Sequence, residues 1–70
     1  MIITVKVKYG TTKQEIESFG NNRYLVYLLS KEDENPNEEL FALLSRKMGV
    51  PQNRIVMKQD GIHSKIIDVL

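Results

Sequence analysis

Apolar and polar residues alternate over the first nine positions of the chain. Ile3, Val5, Val7 and Tyr9 share one phase, while the opposite phase is mostly polar and carries two lysines. Successive side chains of a strand point to opposite faces, so this alternation predicts a half-buried strand from Ile2 to Tyr9. The lysine-bearing phase is expected to face away from the core.

A second apolar run, from Arg23 to Leu29, has large apolar residues in both phases and is rich in aromatic and β-branched side chains. It predicts a strand that is central or that exposes an apolar patch. The intervening segment, Gly10 to Asn22, has only Ile16 and Phe19 as large apolar residues and ends in a turn-forming cluster. We expect an ordered loop there, with one helical turn around residues 13–18 and both apolar side chains tucked under the sheet edge.

The middle of the chain changes to a helical period of about 3.6 residues. Asn35 suits an N-cap, Pro36 suits the first helical position, and Glu38 falls at the third position of a capping box. Gly49, which Val50 and Pro51 follow, is a typical C-terminal stop. The pattern therefore predicts one helix between Asn35 and Gly49. Its apolar stripe consists of Leu40, Phe41, Leu43, Leu44 and Met48.

Two more strands are predicted after the helix. The first runs from Arg54 to Lys58 with Ile55 and Met57 inward, and the second covers residues 65–70 with Ile67 and Val69 as its core pair. One helix must then cover one face of a four-stranded mixed sheet. We expect a single α+β domain over residues 1–70, a two-layer ββαββ sandwich whose other sheet face stays more open.

Several different short motifs occur in a characteristic order along nearly the whole chain. They are Val5-Lys6-Val7-Lys8, Thr12-Lys13-Gln14-Glu15-Ile16, Gly20, Tyr24-Leu25-Val26, Asn37-Glu38-Glu39-Leu40, Leu43-Leu44, Gly49-Val50-Pro51, Asn53-Arg54-Ile55 and Lys65-Ile66-Ile67-Asp68-Val69. In this order and spacing the chain resembles the YggU-like family of small proteins of uncharacterised function. The resemblance implies a fold more than a function, because one fold hosts unrelated roles.

The chain departs from that family in two loops. Before the helix the family usually has a Pro-Pro stretch and a Gly-containing turn, which residues 30–35 of this chain lack. Between the last two strands the family usually has a Gly followed by a Ser-Arg pair, where this chain has only the shorter turn of residues 60–64. The resemblance places the family's shared surface site in these loops. A ubiquitin-like grasp domain for protein interaction is the alternative fold, although the first connection is long for the hairpin that such a fold begins with.

Composition narrows the function classes. The chain has 41% hydrophobic and 27% charged residues, a formal net charge of +1 and no cysteine. It opens on strand-like residues rather than a signal segment, and its apolar runs are too short to cross a bilayer. We therefore expect a cytoplasmic protein without a membrane partner. No glycine-rich phosphate loop or other cofactor motif is present, so no cofactor is expected.

The positions of the charged residues along the chain are more informative than the net charge. Residues 46–65 carry five basic residues against the single acid Asp60. The later strands could gather these basic residues on one edge, while the first strand presents its lysines on the open face. A nucleic-acid backbone could then dock there. Tyr24 or Tyr27 could stack a nucleobase. The same bases could instead protect sheet edges. The predicted binding residues are Lys6, Lys8, Arg54, Lys58, His63 and Lys65.

Catalysis and metal binding find less support in the sequence. His63, the only histidine, could act as a general base or simply be an exposed turn residue, and no serine lies in a nucleophile motif. The acidic run from Glu32 to Glu34 is better explained as a solvated loop before a helix than as a cation site. We predict a non-catalytic binding module whose partner is nucleic acid, or protein through the open sheet face.

Overall fold

The computed structural model describes all residues, 1–70, as a two-layer α+β sandwich, as expected. Its elements are β1 (Ile2–Lys8), β2 (Glu15–Ser18), β3 (Arg23–Tyr27), α1 (Pro36–Met48), a short 3-10 helix (Gln52–Arg54), β4 (Ile55–Asp60) and β5 (Ser64–Val69). The strands form one mixed sheet in the order β2-β3-β1-β5-β4. The helix covers one face, and we call the opposite face the open face.

The sheet has five strands rather than the predicted four. Residues that were expected to form a loop with a helical turn instead form β2, which pairs antiparallel with β3 at the sheet edge. Ile16 lies opposite Val26 and packs against the core, as predicted. Phe19 does not tuck under the edge, because it follows the end of β2 and is 57% exposed. An edge strand can be held in place by one apolar side chain and by hydrogen bonds to its single neighbour. The alternation of apolar and polar residues in β2 is correspondingly weak.

The pairing of β1 with β3 explains the long first connection. These strands are parallel, with Val7 opposite Val26, so the chain must cross back to the start of the sheet before β3 can begin. The connection therefore contains the edge strand β2, and no tight hairpin joins β1 directly to β3. β1 also pairs antiparallel with β5, which places it at the centre of the sheet.

The helix lies within the predicted boundaries, although the predicted N-cap mechanism is wrong. Asn35 has a left-handed backbone, φ 54°, and its side chain makes no capping hydrogen bond. Pro36 nevertheless occupies the start of the helix, where its missing N–H has no cost. At the other end Gly49 adopts φ 67°, a conformation that glycine accepts without strain, and its N–H donates to the carbonyl of Ser45.

The core follows the predicted phases. Leu40 and Leu44 of α1 are fully buried against the sheet, and burial of each such side chain contributes about 1.5–3 kcal/mol. The predicted pairs on the last two strands also face inward, although Met57 is only half-buried. The buried apolar residues are Ile3, Val5, Val7, Val26, Leu28, Leu40, Leu44, Ile55, Ile67 and Val69.

A carboxylate of α1 fastens the helix to the chain segments beside it. Glu39 accepts hydrogen bonds from the backbone N–H groups of Leu29 and Ser30, each at 2.9 Å, and from Gln14 Nε2 at 2.7 Å. Burial alone would raise the pKa of Glu39, but these hydrogen bonds outweigh it and lower the pKa from 4.5 to about 2. The charged carboxylate is therefore part of the folded structure.

Candidate functional site

The open face carries a row of basic residues across its central strands. The parallel register sets Thr4 beside Arg23, Lys6 beside Leu25, and Lys8 beside Tyr27. These residues alternate with the buried core positions of β1 and β3, and so they point away from α1. The expected position of the two β1 lysines is thus confirmed, and Arg23 joins them from the neighbouring strand.

Two shallow depressions lie side by side on this face. The first has a volume of about 460 Å³, and Arg23 and Phe19 help to line it. The second has a volume of about 440 Å³, and His63 helps to line it. Both are lined by Lys6, Lys8 and Leu25, so the two lysines lie between the depressions. We call this surface, defined by Lys6, Lys8, Phe19, Arg23, Leu25 and His63, the basic face.

The cations of the basic face are free of ion pairs within the protein. The ion pairs that do form involve other groups, namely Lys13 with Glu15, Lys65 with Asp60, and the N-terminal ammonium with Asp68. Acidic residues nevertheless border the basic face, because Glu15 and Glu17 of β2 lie opposite Tyr27 and Leu25 of β3. Positive charge is consequently confined to a band along β1 and the start of β3.

The aromatic residue that is best placed for stacking is not one of the predicted tyrosines. Tyr24 also lines the first depression, but it is half-buried and packs against the core. Tyr27 lies on the open face but lines neither depression, and Glu15 of β2 lies opposite it. Desolvation, together with the negative charge of Glu17 and Glu15, raises the pKa of its hydroxyl. Phe19, by contrast, is 57% exposed and lines a depression with three cations.

Lys65 does not lie on an exposed basic edge, and its expected position must be corrected. It shares the phase of the core residue Ile67 and lies opposite Val5, and it is only 3% exposed. Its ammonium group donates to the carboxylate of Asp60 and, at 3.1 Å, to the carbonyl of Gly61. The buried charge is therefore already neutralised within the protein.

Asp60 links this lysine to the first turn of α1. Its second carboxylate oxygen accepts a hydrogen bond from Asn37 Nδ2 at 3.0 Å. The hydrogen bonds from Lys65 and Asn37 lower the pKa of Asp60. Gly61 permits the turn, because a Cβ there would lie 2.4 Å from the carbonyl oxygen of Ser64. The cluster thus joins the β4–β5 turn to the helix and has a structural role.

The remaining predicted binding residues do not form one patch. Arg54 ends the 3-10 helix and is exposed, and Lys58 is exposed at the irregular position between Met57 and Gln59 on the edge strand β4. β5 separates that edge from β1. The structure therefore brings Lys6, Lys8 and His63 together and leaves Arg54 and Lys58 on a different edge.

His63 is held close to the basic face by its neighbours. Its carbonyl accepts the N–H of Val7 at 2.9 Å, and its ring centroid lies 6.3 Å from that of Tyr9. The Tyr9 hydroxyl donates to the carbonyl of Ile62 and thereby fixes the turn. The imidazole makes no hydrogen bond with a serine or a carboxylate. No group of three His, Asp or Glu side chains is arranged to hold a metal ion.

Sequence reasoning missed Phe19 and Arg23 as surface residues of the site. Arg23 shares its phase with Leu25 and Tyr27, so the alternation of β3 contained the signal that it faces outward. Its position beside β1 depends on the parallel pairing of β1 with β3, which no local sequence pattern predicts. Phe19 was assigned to the core because large apolar residues usually are buried.

Comparisons with known proteins add no further constraint on the site: no protein-family model, no curated protein and no solved structure matches this chain. The only α-helix, α1, has 13 residues, and no helix is long and apolar enough to cross a membrane. The assignment of the candidate site therefore rests on its geometry and its charge.

Proposed function

We propose that this protein is a non-catalytic nucleic-acid-binding module whose binding surface is the basic face. The observation that carries the proposal is the unpaired set of Lys6, Lys8 and Arg23 around two depressions, with an exposed phenylalanine beside them. The proposal includes a cytoplasmic location and membership of the YggU-like family. Those two parts rest on the cysteine-free composition and on the order of sequence motifs.

The position of the lysines favours a nucleic acid over a protein partner. Lys6 and Lys8 lie at the centre of the open face, on the strand that has two neighbours on one side and two on the other. The cores of protein–protein interfaces are depleted in lysine, because a desolvated ammonium needs a partner. Phosphate groups supply that partner, and they bind lysine and arginine irrespective of base sequence.

Affinity measurements on two matched double variants test this assignment. The Lys6→Ala/Lys8→Ala protein removes two charges from the basic face, and the Arg54→Ala/Lys58→Ala protein removes two charges from the β4 edge. We expect the first to bind a fluorescent oligonucleotide of about 12 nucleotides roughly tenfold more weakly than wild type, since each exposed phosphate contact contributes about 0.7 kcal/mol. The second variant should stay within about twofold of wild type.

The control variant makes the result decisive because both proteins lose the same net charge. Equal weakening in the two variants would contradict the assigned surface and indicate a response to overall charge alone. Weakening of only the Arg54→Ala/Lys58→Ala protein would move the surface to the β4 edge. If wild type binds neither single-stranded nor duplex oligonucleotide at low salt, the proposed function is wrong, and a protein partner for the open face becomes the better hypothesis. Unchanged thermal unfolding of both variants confirms that they fold.

A further inference from the structure

We infer that the basic face binds single-stranded nucleic acid, with two consecutive bases in its two depressions and the connecting phosphate over Lys6 and Lys8. This inference rests on the proposed function and narrows its ligand. It depends on three features of the basic face: an exposed aromatic ring, two depressions that share their cations, and acidic residues that limit the path of the backbone.

Phe19 is the first feature. Its backbone N–H donates to the carbonyl of Arg23 at 2.9 Å, so the turn after β2 holds the residue next to a cation. Its side chain is 57% exposed although it is apolar. An exposed aromatic ring is a surface on which a base can stack, irrespective of the base sequence. Only an unpaired strand can offer the face of a base, because a duplex keeps its bases stacked on each other.

The two depressions are the second feature. Volumes of about 460 and 440 Å³ fall within the range of small-ligand sites, so each depression has room for one small ring system. Leu25 forms an apolar part of the lining of both. The lysines lie between the depressions, where the phosphate that joins two neighbouring nucleotides would lie. In the second depression the ring of His63 can stack a base, as histidine does in other single-strand sites.

The surrounding acids are the third feature. Glu15 and Glu17 on β2 flank the basic face on one side, and Glu32 lines the second depression. Their charge repels phosphate from the β2 edge and from the part of that depression that Glu32 lines. The remaining path runs along β1 from Arg23 towards Lys8. A single nucleic-acid strand on this path passes from the Phe19 depression to the His63 depression. A duplex is much wider and would bring its second backbone towards the acidic residues.

Substitutions at Phe19 test the inference separately from the charge. Phe19→Leu keeps an apolar side chain but removes the ring, and it should weaken binding of a single-stranded oligonucleotide about tenfold. It should leave the binding of inorganic polyphosphate, which has charge but no bases, unchanged. The chain has no tryptophan, so Phe19→Trp introduces a single indole. We expect the indole fluorescence of this variant to fall when the single strand binds and to stay constant when polyphosphate binds.

The outcomes distinguish this inference from the proposed function. If wild type binds a duplex as tightly as the single strand of the same sequence, and Phe19→Leu changes neither affinity, then the single-strand inference is wrong while the proposed function stands. If Phe19→Leu weakens polyphosphate and oligonucleotide binding equally, the ring does not stack a base, and the inference fails as well. Failure of wild type to bind any oligonucleotide removes both.

Discussion

The Asp60→Ala protein is expected to be less stable than wild type by about 2–3 kcal/mol in its free energy of unfolding. The substitution removes the partner of a lysine that is only 3% exposed, and it also removes the acceptor of Asn37. Loss of one member of a fully buried pair costs about 3–5 kcal/mol. The expected cost is lower because the Asp60 side chain is itself 50% exposed, so water can reach the site. Urea denaturation measures the change.

A double variant separates the unpaired charge from other effects of the substitution. Lys65→Met keeps much of the lysine's apolar stem in the core and removes the ammonium group. In the Asp60→Ala/Lys65→Met protein no buried charge lacks a partner, and we expect it to recover more than half of the lost stability. A small domain of this length has a total stability of about 3–10 kcal/mol, so the difference is measurable. If Asp60→Ala unfolds at the same urea concentration as wild type, the structural role of the pair is wrong.

Removal of the Glu39 carboxylate should give the second large loss of stability, and we expect Glu39→Ala to lower the free energy of unfolding by about 2 kcal/mol. That substitution deprives the N–H groups of Leu29 and Ser30, and the amide of Gln14, of their common acceptor. Arg46 also donates to Gln14, at 3.2 Å, so the loss loosens a second contact of α1. Glu38→Ala in the same turn is the matched control, because the structure gives that side chain no hydrogen bond. A loss of equal size in both variants would contradict the assigned role.

The same carboxylate predicts how stability depends on pH. The pKa of Glu39 falls from 4.5 to about 2 on folding, so the folded state holds its proton less strongly than the unfolded state. Its stabilising contribution is therefore fully present above pH 4.5 and is lost as the pH falls towards 2. After allowance for solvent screening of a surface carboxylate we expect a contribution of about 1–2 kcal/mol. Thermal unfolding between these pH values should depend less on pH in Glu39→Gln than in wild type. An identical acid dependence of the two proteins would contradict the assignment.

The sequence predicted those parts of the fold that depend on local periodicity. The phases of Ile3, Val5 and Val7, and the helical stripe with its stop at Gly49, were sufficient to identify the core and the covering helix. The fifth strand was missed because β2 is stabilised by its pairing with β3 and has only Ile16 as a core residue. Such pairing joins residues that are distant in the sequence, and a local pattern does not record it.

The candidate site was predicted only in part, for related reasons. Lys6 and Lys8 were expected on the open face because alternation fixes the side on which a strand residue lies. Lys65 was expected at the surface because lysine seldom lies in a core, yet its phase is that of Ile67, and Asp60 neutralises it directly across the strand pair. Arg23 and Phe19 joined the site only through the parallel pairing of β1 with β3 and the turn that follows β2.

Chemical-shift mapping of the wild-type protein with a short single-stranded oligonucleotide tests the central claim most directly. The amide signals of β1 and β3, together with those of Phe19 and His63, are expected to shift progressively as the oligonucleotide is added. Those shifts should diminish when the salt concentration rises from about 50 to 200 mM, because phosphate binding releases counterions. Shifts confined to α1 or to the β4 edge around Arg54 and Lys58, or no shifts at the lower salt concentration, would contradict the account.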